Sequence, residues 1–376
     1  MSLTATRIHA DTATVTVASQ MAAITDWSAR YFGPWWNAAA ADDPDPGSLA
    51  DGGGLVLAEV DSDRVDDIAA LVADCGTEET IYANARTLVG RADGITYAVQ
   101  PDEQIGYQAN GRRLVIVGGE LEPVAVAAAR LARELVRGQL LADGWTVLHA
   151  SAATQNGDAV LTLGDKGAGK TTTGLLLALG GWGLLANDRV FVRAESDGRV
   201  RVLPWPSAAA LGLGLLDATG LYDQVRERVL AGGQLHPTQH PTVTQTLMDG
   251  RREPLWRATG KELKPQFFPD QLASWLGLTL ATEARVAGLL FPTMSPEAVP
   301  ALVENGRTLT DADVFDQKTE DRYPDIFGLT PTAATGTRAL TEHLARLPRR
   351  SMLLSHDTDA SGALLTKTAE EIVSAS

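Results

Sequence analysis

The stretch from Val160 to Val192 constrains this chain more than any other part of it. An apolar run leads into a glycine-rich turn. A helix-compatible run follows, and then a second apolar run closed by a polar pair. The centre, Gly164-Asp165-Lys166-Gly167-Ala168-Gly169-Lys170-Thr171, fits the pattern G-x-x-x-x-G-K-[ST]. Glycines at these spacings let the backbone turn so that several N–H donors converge on one anion. The helix that opens at the next residues adds the favourable charge of its N-terminus. Gly164, Gly167, Ala168, Gly169, Lys170, Thr171 and Thr172 therefore read as a nucleotide phosphate cradle. Lys170 would reach the β- and γ-phosphates, and the Thr171 hydroxyl would hold Mg²⁺. The flanks agree. Ala159 to Leu163 reads as a buried strand, Thr172 to Leu179 as a helix stopped by Gly180-Gly181, and Leu184 to Ala186 as a strand ending at Asn187-Asp188.

Asp188 follows Lys170 by only eighteen residues, at the end of the very next strand, within Asn187-Asp188-Arg189-Val190. Leu148-His149-Ala150-Ser151 stands shortly before the loop. Over roughly Val147 to Val192 this compact arrangement resembles the HPr kinase/phosphorylase family and its relative, phosphoenolpyruvate carboxykinase. Lasso-peptide kinases, which modify ribosomally made peptides in natural-product biosynthesis, are similar in size and in the L-H-A-S and loop motifs. The resemblance implies an α/β protein with an HPr kinase/carboxykinase-like P-loop core and a smaller α+β N-terminal domain. It implies ATP and Mg²⁺ as cofactors, with Asp188 joining Thr171 on the metal and His149 near the transferred group. His149, Lys170, Asn187 and Asp188 would form the catalytic set. Asn187 departs from the family, which has an Asp there, thought to take the proton from the acceptor hydroxyl. An amide cannot act as a general base. The carboxykinase reading is the weaker one, because the further metal ligands of that family are not located in this sequence.

Composition bounds the rest. The chain has 376 residues, enough for two domains, and is 44% hydrophobic and 21% charged, as a globular protein is. A formal net charge of −15 argues against nucleic acid or an anionic membrane as the main partner. The single cysteine, Cys75, allows no internal disulfide and suits a reducing compartment. Met1 to Asp11 lacks the apolar core of a signal peptide, and no apolar run approaches a membrane span. A cytoplasmic location is the expectation.

Two domains are expected, 1–120 for recognition or assembly and 121–376 for the kinase, the boundary lying at the start of the long helix Leu121–Leu141. Other expectations are a helix over Met21–Phe32 ended by Gly33-Pro34, a loose loop over Asn37–Gly54, one strand over Ile81–Leu88, a mobile lid over Leu302–Tyr323 and a helix over Ala333–Arg346. His236 and His240 have a metal-ligand spacing, but Pro237 and Pro241 forbid a regular helix there. Arg257, Lys261, Lys264 and Arg285 are candidate phosphate clamps, set against a plain solvated role. The expected function is an ATP- and Mg²⁺-dependent kinase acting on a serine-type hydroxyl of a peptide, small protein or small molecule. The alternatives are a nucleotide-binding regulatory module and a plain NTPase. Members of the family often assemble, which adds a homo-oligomer to the expectations.

Overall fold

The computed structural model describes residues 3–41, 53–304, 306–315, 324–331 and 337–375. It is a mixed α/β protein whose chain divides into two compact units, 1–145 with 316–335, and 146–315 with 336–376.

In the first unit the strands are β1 (Thr4–Ala10), β2 (Ala13–Ser19), β3 (Ala39–Ala40), β4 (Gly54–Val60), β5 (Glu78–Tyr82), β6 (Ala85–Ala92), β7 (Ile95–Gln100), β8 (Ile105–Asn110) and β9 (Arg113–Gly118). Among the described residues they form one sheet in the order β3-β1-β2-β4-β9-β8-β7-β6-β5. The β2–β4 and β4–β9 pairs are parallel, and β9 back to β5 is an antiparallel meander. The meander turns have a local cause. Asp93 and Gly94 take φ of 52° and 77°, the positive pair that a two-residue hairpin requires. Ala83 and Asn84 do the same at 55° and 63°, so the single strand expected over Ile81–Leu88 is two strands around a tight turn. Alanine gives no turn signal, which is why the sequence concealed it.

Three helices cover this sheet. α1 (Ala22–Trp36) runs through Gly33-Pro34 rather than ending there. Proline forfeits one backbone hydrogen bond. Continuing the helix buries Trp35 and Trp36 to 1% exposure, a gain of about 1.5–3 kcal/mol for each large apolar side chain. α2 (Ser62–Asp74) is N-capped by Asp61, which accepts from the Asp63 and Arg64 N–H groups, and it packs Val65, Ile68 and Val72 on Val99 and Val117. α3 (Leu121–Ala142) lies on β2, β4 and β9 and against α1. It therefore belongs to the first unit, and the contact boundary falls at 145/146 rather than near 121. Residues 324–331 complete this unit. Phe327 stacks edge-on against Tyr82, Arg91 donates to the Ile326 carbonyl, and the Leu329 carbonyl approaches α3 so closely that a Cβ at Gly138 would collide with it.

The second unit has β10 (Thr146–Leu148), β11 (Ser151–Gln155), β12 (Asp158–Thr162), α4 (Lys170–Leu179), β13 (Gly183–Ala186), β14 (Val190–Ala194) and β15 (Val200–Pro204). There follow β16 (Ala209–Ala210), α5 (Leu213–Ala218), α6 (Tyr222–Leu230), α7 (Pro241–Met248), β17 (Leu255–Trp256), β18 (Glu262–Leu263), β19 (Gln266–Phe267), α8 (Pro269–Ser274), β20 (Ala284–Met294) and β21 (Ala301–Val303). α9 (Thr337–Leu344), β22 (Arg349–Leu354) and α10 (Thr358–Ser374) close the chain. The main sheet runs β10-β14-β15-β20-β12-β11-β13, with β22 also on β20 and β21 on β22. β20 is the spine: β12 lies parallel along one edge, while the other edge takes β15 at its start and β22, in parallel, from Leu289 onward.

This strand order forces a curl. β13 and β14 are joined by Asn187-Asp188-Arg189 alone, yet five strand spacings separate them in the sheet. A flat sheet would put them roughly 24 Å apart, whereas the connecting chain reaches about 14 Å. The sheet must therefore roll up, which brings the end of β13 back to the start of β14. The lid expected over Leu302–Tyr323 lies partly outside the described residues, as do most of the loose loop over Asn37–Gly54 and the start of the helix over Ala333–Arg346. Where it is described, the supposed lid is tied down: Val314 forms a bridge to Leu148, and Phe315 N–H donates to the Val147 carbonyl at 3.0 Å.

Candidate active site

β12 ends in the interior of the sheet, and Leu163 extends its parallel ladder by donating to the Leu290 carbonyl at 2.9 Å. The glycine loop leaves from there, at the carboxyl end of two parallel strands. It crosses to α4 through backbone that side chains would forbid. Gly164 has φ 152°, and a Cβ there would come within 2.9 Å of the Ala168 Cβ. Gly169 has φ 102°, and a Cβ would press on Met294 at 2.8 Å. Gly169 is also the N-cap of α4 and has no side chain with which to cap the first-turn N–H groups.

Lys170 folds back onto the loop. Its ammonium donates to the carbonyls of Gly164 at 2.7 Å and Asp165 at 3.2 Å. Burial pulls its pKa below the ordinary lysine value, and the carboxylates of Asp188, Asp313 and Asp165 oppose that shift. Ser151 on β11 donates to the Lys170 carbonyl at 2.6 Å and fixes the start of the helix. Thr171, one residue on, donates to the Asn187 carbonyl at 3.3 Å. β13 runs the same way as β12 on the far side of β11, so its end lies at the first turn of α4.

Asn187 is 6% exposed, and its Oδ1 lies 3.5 Å from the Ser207 hydroxyl. The Asp188 side chain is half-exposed and meets Arg189 at only 3.7 Å. The Arg189 guanidinium lies over the rings of Phe315, at 4.4 Å, and Trp205, at 5.6 Å. Arg189 thus packs on aromatic rings. His149 follows β10; its ring stands edge-on to Phe315 at 5.1 Å, and its N–H donates to the Asp313 carbonyl at 2.9 Å. Thr171 and Asn187 are joined by a direct hydrogen bond, and Asp188 acts on Lys170 through its charge. His149 is joined through Asp313 and Phe315.

The other cationic candidates are engaged elsewhere. Lys264 pairs with Glu262 at 3.0 Å and Arg285 with Asp158 at 2.7 Å, while Arg257 and Lys261 close a hairpin through their backbones. His236 bonds Thr238, and His240 caps α7 by accepting from Thr242, so the two histidines serve local turns. A groove of about 810 Å³ lies at the opposite end of α4, lined by Leu179, Gly180, Thr219, Gly362 and Thr366, and is separate from the loop.

Sequence reasoning missed the segment 306–315. Arg307 bonds both oxygens of Asp313, at 2.9 and 3.1 Å, and lies 3.5 Å from the Asp165 carboxylate of the loop. One signal was available: Thr310 and Asp313 have capping-box spacing, and each accepts a hydrogen bond from the other's backbone.

No family model matches this chain, and no curated protein does. Among solved structures it is similar to the Hpr(Ser) kinase/phosphatase from Coxiella burnetii, at 13% identity, over 60% of this chain and 88% of that chain, with a TM-score of 0.26.

Proposed function

We propose that this chain is an ATP- and Mg²⁺-dependent phosphotransferase acting on a hydroxyl acceptor, through a P-loop formed by residues 164–171. The observation that carries the reading is the bond from Thr171 to the Asn187 carbonyl, which brings a hydroxyl at a helix N-terminus to the strand end that presents Asp188. Three features fit a phosphate chain: a loop whose glycines at 164, 167 and 169 all take positive φ, a helix N-terminus whose N-cap is a glycine, and an ammonium that already seeks acceptors on that loop. When bound, Mg-ATP supplies the transferable phosphoryl group.

The residues divide the remaining work. Lys170 would hold the β- and γ-phosphates, and Thr171 with Asp188 would hold the metal. With its Oδ1 toward Ser207, the Asn187 amide turns its NH₂ the other way, where it can orient an acceptor hydroxyl. Phosphoryl transfer depends mainly on positioning and charge neutralisation, so a missing carboxylate at 187 need not silence the site. The acceptor hydroxyl belongs to a peptide, a small protein or a small molecule.

The test is ADP formation from Mg-ATP with candidate hydroxyl acceptors. Acceptor-dependent ADP supports the reading, and ADP with water alone replaces it with a plain NTPase. Lys170→Ala should weaken ATP binding at least about tenfold and abolish transfer. Unchanged calorimetric affinity in the folded variant removes the loop assignment. Asn187 favours a second reading, a nucleotide-responsive module without catalysis. Asn187→Asp separates the two. An adapted site slows, because a new carboxylate repels the phosphates, whereas a site idle for want of a base gains about 10²–10⁴-fold.

A further inference from the structure

Arg307 is held in an unusual way. Its Nη1 donates to both oxygens of Asp313, a carboxylate only 2% exposed, which itself accepts from the Thr310 N–H at 2.9 Å. Its guanidinium lies 5.5 Å from the centre of the Phe291 ring on β20. One edge of the fork is thus fixed by a buried acid and its face by a ring. The other edge, Nη2, is 3.5 Å from the Thr310 hydroxyl and 3.5 Å from the Asp165 carboxylate. The two acids differ sharply. Asp165 is 86% exposed, and an exposed pair at that distance contributes about 0–1 kcal/mol and is screened by salt. Asp313 is a strong anchor and Asp165 a weak, replaceable one.

Asp165 is also where the second cation arrives. Lys170 donates to its carbonyl at 3.2 Å while Arg307 faces its carboxylate. Two cations that converge on one loop residue leave a place where an anion is favoured, and a phosphate offers a planar guanidinium two oxygens at once. We propose that Arg307 is a phosphate-binding residue, whose Nη2 edge leaves the Asp165 carboxylate for the terminal phosphate of a bound nucleoside triphosphate. This rests on the reading of residues 164–171 as a nucleotide site. It adds a cation on the phosphate that Lys170 serves, supplied by a segment about 140 residues further along.

The test compares binding of ADP with that of a non-hydrolysable imido analogue of ATP, by calorimetry with Mg²⁺. Arg307→Lys keeps a cation for Asp313 but loses the fork. It should weaken analogue binding about tenfold and leave ADP binding unchanged. Asp165→Ala, a change at an exposed side chain, should tighten analogue binding by about threefold in the wild-type background, and by less when combined with Arg307→Lys. The proposal is overturned if Arg307→Lys alters both ligands equally or neither, or if Asp165→Ala has the same effect in both backgrounds. Should Arg307→Lys fail to fold, tightening by Asp165→Ala that spares ADP supports the proposal, and no tightening overturns it. Lys170→Ala is measured alongside. If it leaves both ligands unaffected, the nucleotide reading itself fails; if it weakens both while Arg307→Lys weakens neither, only the role of Arg307 falls.

Discussion

The glycine loop and the segment Arg307–Phe315 reach the same residue, Asp165, and are built by opposite means. The loop takes its shape from backbone torsions, with Gly164, Gly167 and Gly169 all at positive φ, and it needs few side-chain bonds. The segment has one short 3₁₀ turn, is pinned at its end by backbone pairing with β10, and owes the rest of its shape to side chains: Thr310 with Asp313, Arg307 with Asp313, and Phe315 against His149. Their failure modes should differ accordingly. The loop is intolerant of an added methyl at Gly164 and Gly169, whereas the segment loses order one bond at a time.

The largest effect is expected at Gly169. In Gly169→Ala the new methyl meets Met294 at a φ that alanine rarely adopts, at a cost of about 1–3 kcal/mol. ATP binding should be lost to calorimetry while circular dichroism still reports a folded chain. Full affinity in this variant would mean that the loop is as forgiving as the segment, and the contrast would collapse. A smaller effect is expected at Thr310. Thr310→Ala removes one hydroxyl partner of Asp313 and keeps the backbone bond, so about 1 kcal/mol is expected. It should appear as faster proteolysis within 306–315, with ADP affinity unchanged.

The smallest effect is a pH trend at Lys170. Burial lowers its pKa in the folded protein, so between that value and the ordinary lysine value the unfolded chain binds more protons. Stability contributed by this group therefore rises with pH across that window. Nucleotide affinity moves the other way, because phosphate favours the protonated form and binding must take up a proton there, by at most about tenfold per pH unit. In Lys170→Arg both trends should vanish from alkaline titrations, since a guanidinium keeps its proton. Trends that persist would assign them to another group.

The same contrast explains what the sequence disclosed. The strand, glycine loop, helix and strand from Ala159 to Ala186 were legible, because spacing and local torsion dictate them within one short window. The proximity of Asn187 to Thr171 was legible only through family likeness, since it depends on β12 and β13 both pairing with β11, a non-local choice that leaves no local spacing signal. Arg307 was not legible. Its position depends on Val314 pairing with Leu148 and on Asp313 being buried, and neither leaves a periodic trace. α3 was found by its helical spacing, yet its allegiance was misread, because periodicity reports that a helix has a buried face and is silent on which sheet it covers. Pro34 misled in a comparable way, a local stop signal overridden by the burial of two tryptophans.

One feature of the first unit bears on how the chain is made. Its sheet and helices are encoded before residue 146, but the piece that seals the Tyr82–Tyr107 face, residues 324–331, is translated much later. The Arg91–Ile326 bond spans 235 residues. At about 5–20 residues per second the nascent chain waits roughly 10–50 s between the two. During synthesis Tyr82 and Tyr107 therefore wait without the Phe327 ring that packs on them, and a ribosome stalled before residue 324 would present a first unit that lacks its seal.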